Sequence, residues 1–61
     1  MTRVELFDKM RTRLDEAIQN DWPGRAVAIV NACYDFYANG KLTRNDVLII
    51  QGVYNSYMEV Q

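Results

Sequence analysis

Leu42-Thr43-Arg44-Asn45-Asp46-Val47 is the stretch on which the fold turns. Thr43 has the side chain of a helix N-cap, and Asp46 follows three residues later, where a capping-box acid reaches back to the cap's N–H. Asp46 is shorter than the usual Glu at that place, but Leu42 and Val47 bracket the cap at the spacing of a hydrophobic staple. The next residues, Val47-Leu48-Ile49-Ile50, are β-branched enough to suggest a strand. A strand needs a partner, and no other segment offers one. Helix is therefore the reading, with Val47, Ile50, Val53, Tyr54, Tyr57 and Met58 on one side and Leu48, Ile49 and Val60 off it.

Upstream, Asn39-Gly40 marks the end of a preceding helix, because glycine readily takes the left-handed conformation that stops one. That second helix runs from the break Asn20-Asp21-Trp22-Pro23-Gly24 to about Ala38. Asp21 reads as its N-cap, and Pro23 is tolerated in the first turn because its missing N–H would have gone unpaired there. Ala26, Ile29, Val30, Cys33, Phe36 and Tyr37 form its apolar face, which Val27 and Tyr34 widen beyond an ordinary stripe. The first helix opens on Thr2-Arg3-Val4-Glu5, a second capping box. Phe7, Met10, Leu14, Ala17 and Ile18 then recur in steps that fit one stripe, with Glu5 and Lys9 spaced as a favourable i,i+4 pair. It should end near Gln19-Asn20.

Short connections make successive helices pack roughly antiparallel. The fold expected is all-α. It is one three-helix domain over residues 1–61, a helical hairpin of the second and third helices plus an amphipathic N-terminal helix.

A chain of 61 residues folds with little to spare. At this size only about 60 % of the unfolded surface is buried, and one core supplies about 3–5 kcal/mol unless something staples it. Cys33 stands alone, so no internal disulfide can form, and the absence of His argues against zinc. The remaining staple is a second chain. A hydrophobic content of 49 %, with one Trp, two Phe and four Tyr, favours it. Seven basic and eight acidic residues give a net charge of −1, too little to steer the protein to nucleic acid or an anionic membrane. No apolar run of about 18 residues is available to span a bilayer. A reducing, cytoplasmic setting is expected from the lone cysteine.

Catalytic machinery is not expected. Without histidine the common nucleophilic dyads and triads are missing, and Cys33, on an apolar face, should be an inert core thiol. Asp15 and Glu16 are adjacent and point to different parts of the surface. Gly24, Gly40 and Gly52 stand apart, so no phosphate loop and no cofactor is expected.

Asp35-Phe36-Tyr37-Ala38-Asn39-Gly40-Lys41-Leu42-Thr43-Arg44-Asn45-Asp46 resembles the twelve-residue calcium loop of an EF-hand. Asp35 falls at position one, Asn39 at five, Gly40 at six, Leu42 at eight, Thr43 at nine and Asp46 at twelve, with helices on both sides. Tyr37 occupies the third position, where an oxygen ligand belongs, and Asp46 replaces the bidentate Glu. The same letters read as the end of one helix and the cap of the next, and that reading is preferred, with no metal. A helix-turn-helix reader of DNA fails on chemistry. The third helix offers Arg44, Asn45 and Gln51 but no other base, and its outer face carries Leu48 and Ile49.

The aromatics say most about function. Tyr and Trp favour interfaces because they bury area while keeping a polar tip. Phe36 and Tyr57 are assigned to the core, and Trp22, Val27, Tyr34, Leu48, Ile49 and Tyr54 to a partner-binding surface. The function expected is non-enzymatic: a small protein-binding accessory, regulator or inhibitor, of a kind common among phage and mobile-element products, and a homodimer through helices two and three. The competing reading is a helical nucleic-acid-associated regulator using the Arg cluster of helix one, and behind it a degenerate calcium module.

Overall fold

The computed structural model describes residues 1–60, and these form three helices: α1 (Arg3–Gln19), α2 (Pro23–Ala38) and α3 (Arg44–Glu59). Both capping boxes are built as the spacing requires. The Glu5 N–H donates to Thr2 Oγ1 at 3.1 Å, and the Thr2 N–H donates to Glu5 Oε1 at 3.0 Å. At α3 the Asp46 N–H donates to Thr43 Oγ1 at 3.1 Å, and the Thr43 N–H to Asp46 Oδ2 at 2.9 Å. The shorter acid closes the box as well as Glu does. Glu5 thus spends its carboxylate on the cap. An i,i+4 ion pair on α1 is Arg11 with Asp15, at 3.3 Å.

The two corners share one design. Asn39 caps the C-terminus of α2, Gly40 follows at φ +74°, and the Lys41 and Gly40 N–H groups donate to the Phe36 and Tyr37 carbonyls. This is the Schellman arrangement, which satisfies carbonyls that the helix leaves open. At the end of α1, Asn20 is the cap, Asp21 follows at φ +54°, and the Trp22 and Asp21 N–H groups donate to the Ala17 and Ile18 carbonyls. Asn20 and Asn39 each turn their side-chain amide onto the carbonyl four residues back.

This corrects the expected role of Asp21. It is the left-handed residue that ends α1, a conformation Asp tolerates better than most residues. The N-cap of α2 is Trp22, which offers no side-chain hydrogen bond. The carboxylate of Asp21 instead accepts the Tyr57 hydroxyl at 2.5 Å.

Two long-range ties set the arrangement of helices. Arg3 and Asp46 join the starts of α1 and α3, and Asp21 and Tyr57 join their ends. α1 and α3 therefore run side by side in the same direction, with α2 antiparallel to both. Met10, Leu14 and Ala17 of α1 meet Ala26, Ile29, Val30 and Cys33 of α2, with Ile50 and Tyr57 of α3 and Leu42 from the turn, in one core. The Cα trace measures 32 × 17 × 15 Å. With three helices only, each packs against the two others and keeps a broad face in water.

Candidate functional site

Charge is unevenly distributed over that water-facing surface. Eight of the fifteen charged side chains lie on α1, and none occurs from Ala26 to Tyr34 or from Val47 to Met58. Within these two stretches the residues outside the core are therefore apolar, small or uncharged polar.

The Tyr34 hydroxyl donates to Gln51 Oε1 at 2.9 Å, and Gln51 Nε2 donates to Asn55 Oδ1 at 2.8 Å. This chain crosses from α2 to α3 on the side away from α1. Val27 lies two turns before Tyr34, and Met58 two turns after Gln51. Because the helices are antiparallel, Val27 and Met58 come level at the same end. Leu48 sits one turn before Gln51, at the other end. The result is one uncharged strip running along the α2–α3 seam.

Exposure agrees with that placement: Val27 is 39 % exposed, Tyr34 43 % and Leu48 54 %. Two residues expected on the inner faces also open to solvent here, Tyr37 at 42 % and Met58 at 40 %. At Tyr37 the reason is the turn, since Leu42 folds back into the interior at that end and is buried. At Met58 the neighbour Tyr57 takes the inward position, held by Asp21. Phe36 is half-buried against the core, as Leu6, Phe7 and Ile18 are.

The other residues assigned to a partner surface are placed differently. Ile49 is exposed, but one residue beyond Leu48 means about 100° around the helix. It falls on the flank that carries Asp46 and Arg3, turned away from Tyr34. Trp22 stands at the α1–α2 corner with the Arg25 guanidinium over its ring, 4.8 Å from the centroid. Tyr54 is half-buried and packs on the core. The six residues thus divide: Val27, Tyr34 and Leu48 are exposed along the seam, Tyr54 is half-buried beneath it between Gln51 and Met58, and Trp22 and Ile49 lie apart from it.

Groups with reactive potential are committed to structure. Cys33 is fully buried; burial, and secondarily the charge of Asp46, pushes its thiol up from the ordinary range. Asp46, at the twelfth position of the calcium-loop-like stretch, is buried. Burial alone would push its carboxyl up, but the Arg3 hydrogen bonds and the Thr43 cap hold it below the usual range. Arg3 Nη1 reaches both of its oxygens at 2.7 Å. Among the described residues no group of three or more acidic or thiol side chains gathers as a metal cage. None of their helices is long and apolar enough to cross a membrane.

No known family model matches this chain, and no curated protein and no solved structure is significantly similar to it.

Proposed function

We propose that this chain is a non-enzymatic protein-binding module, a small accessory, regulator or inhibitor that acts by covering a partner's surface, and that it pairs with itself through the α2–α3 seam. The observation that carries the reading is the uncharged strip of Val27, Tyr34, Tyr37, Leu48 and Met58, linked across the seam by Tyr34 and Gln51. Monomers seldom leave large contiguous apolar patches in water. A stable interface takes about 800 Å² from each partner. That is about a fifth of the 4061 Å² surface of this chain. Charge depletion at the centre with aromatic and Met side chains is also the composition of an interface core.

The nucleic-acid reading loses ground on α1. Arg3 is held by Asp46 and Arg11 by Asp15, and on α2 Arg25 lies on Trp22, so these cations already have intramolecular partners. We take the setting to be cytoplasmic and reducing; a lone thiol with no second cysteine to pair supports this.

Light scattering at micromolar concentration tests the reading. The wild type should be dimeric, and Leu48→Asp or Tyr34→Ala should shift it to monomer with helix content kept. Ile49→Asp, on the other flank, should shift it much less. A well-folded wild-type monomer would overturn the homodimer. Loss of a specific protein from a pull-down when Leu48→Asp replaces the wild-type bait would support the wider role.

A further inference from the structure

A second surface lies apart from the seam, where the first turns of α1 approach the α2–α3 corner. It is a half-open cleft of about 540 Å³ lined by Met1, Arg3, Leu6, Lys9, Phe36 and Lys41, together with Thr2 and Gly40. Arg3, Leu6 and Lys9 recur every three residues and so share one side of α1. Leu6 and Phe36 are half-buried, which leaves part of each side chain open to the cleft. Lys41 is brought there by the Schellman turn at Gly40.

The lining has one sign of charge. Three cations surround an apolar floor, and among the described residues no acidic side chain lines it. Arg3 is shared with Asp46, whereas Lys9 and Lys41 are exposed and form no ion pair among the described residues. On a chain of net charge −1 this is a local reversal of sign. The volume lies within the range of about 300–1,000 Å³ typical of ligand pockets, but the cleft is too open to enclose a ligand on all sides.

We propose that this cleft binds a short acidic segment of a protein partner, seating one large apolar side chain against Leu6 and Phe36 with carboxylates on Lys9 and Lys41. Apolar anchoring supplies the affinity, and the charged rim supplies selection and rate. The open form suits a side chain arriving from a peptide, since the rest of the segment must leave the site. An acyl chain would need an enclosed channel. The inference is independent of the seam, because none of its residues lies there.

The test uses the full chain and a fluorescein-labelled peptide with a central Phe flanked on both sides by Asp and Glu. Anisotropy should rise saturably, and rising salt should weaken binding, as screening demands. The doubly substituted Lys9→Glu, Lys41→Glu protein, with helix content checked by circular dichroism, should bind about tenfold more weakly, the order of loss that two exposed ion pairs can supply. A peptide with Ser in place of Phe should also lose binding. Leu48→Asp should leave peptide binding unchanged even if it abolishes self-association, so the two readings fail separately. Absence of saturable binding at millimolar peptide would overturn the inference. Equal binding by the Ser peptide or by the charge-reversed protein would do the same, as would binding of laurate without binding of the peptide.

Discussion

Asp21 and Tyr57, 36 residues apart in the chain, meet through a hydrogen bond of 2.5 Å that fastens the end of α3 to the corner between α1 and α2. The carboxylate that accepts this hydrogen bond belongs to a residue already in the left-handed conformation, at φ +54°. One residue thus serves a local turn with its backbone and a distant contact with its side chain.

The phenol should report that contact in base. The Asp21 hydrogen bond, with lesser help from burial and the charges nearby, pushes Tyr57 up from 10 to about 12. A folded pKa above the unfolded one contributes stability that is complete below pH 10 and is lost as pH rises through 12. Urea melts between pH 9 and 12 should show a falling midpoint, and Tyr57→Phe should flatten that fall. Asp21→Asn, which keeps a residue tolerant of positive φ, should bring the phenol back toward 10 in an ultraviolet titration. An unchanged titration would mean the bond is absent in solution.

The acid limb should belong to Asp46. Its carboxyl is held below the ordinary 3.8, and Glu5 is likewise lowered by its bonds to Thr2. A depressed folded pKa contributes stability above the unfolded value that disappears as pH falls through the folded one. Stability should therefore decline below about pH 4, and Asp46→Asn should lower stability at neutral pH while making the acid decline shallower. Thr43→Ala should cost about 1 kcal/mol, the usual loss for an N-cap. Chemical denaturation at neutral pH and at pH 3 reads both.

Gly40→Ala should cost about 1 kcal/mol. A Cβ built there meets nothing within 4 Å, so the penalty comes from the backbone at φ +74° and not from crowding. Gly52, inside α3, also has open space around it. Gly52→Ala should therefore stabilise, by about 1 kcal/mol of helix propensity. Thermal melts of the two variants should move in opposite directions.

Local signals were legible and distant ones were not. Thr2 with Glu5 and Thr43 with Asp46 announce their helices because a capping box is complete within four residues. Asp21 suits an N-cap and a left-handed turn equally well by its side chain, and the Tyr57 that settles its role lies far away in the sequence. Phe36 and Tyr37, like Tyr57 and Met58, are adjacent residues either of which fits an apolar face. Only packing chooses between them. Val27 with Tyr34 widens the face of one helix and Leu48 with Ile49 lies off the face of another, and spacing within a helix does not say which of them meet. The Tyr34–Gln51 bond joins Leu48 to the first pair and leaves Ile49 alone. The cleft leaves no local signal, since it unites residues from positions 1 to 41.

The two ties between α1 and α3 also have a consequence in time. Arg3–Asp46 and Asp21–Tyr57 span 43 and 36 residues, whereas the α2–α3 hairpin closes over a turn of a few residues. Contacts of high sequence separation are slow to gain, because loop entropy must be spent before they form. The hairpin should therefore assemble first and the ties last, after the rate-limiting step. Interactions made that late act on the escape rate from the native state and not on its formation. In stopped-flow chevrons Tyr57→Phe and Arg3→Gln, which leaves the Thr43–Asp46 cap in place, should raise the unfolding arm and leave refolding nearly unchanged. Two small polar clasps would then govern the lifetime of a bundle whose core assembles without them.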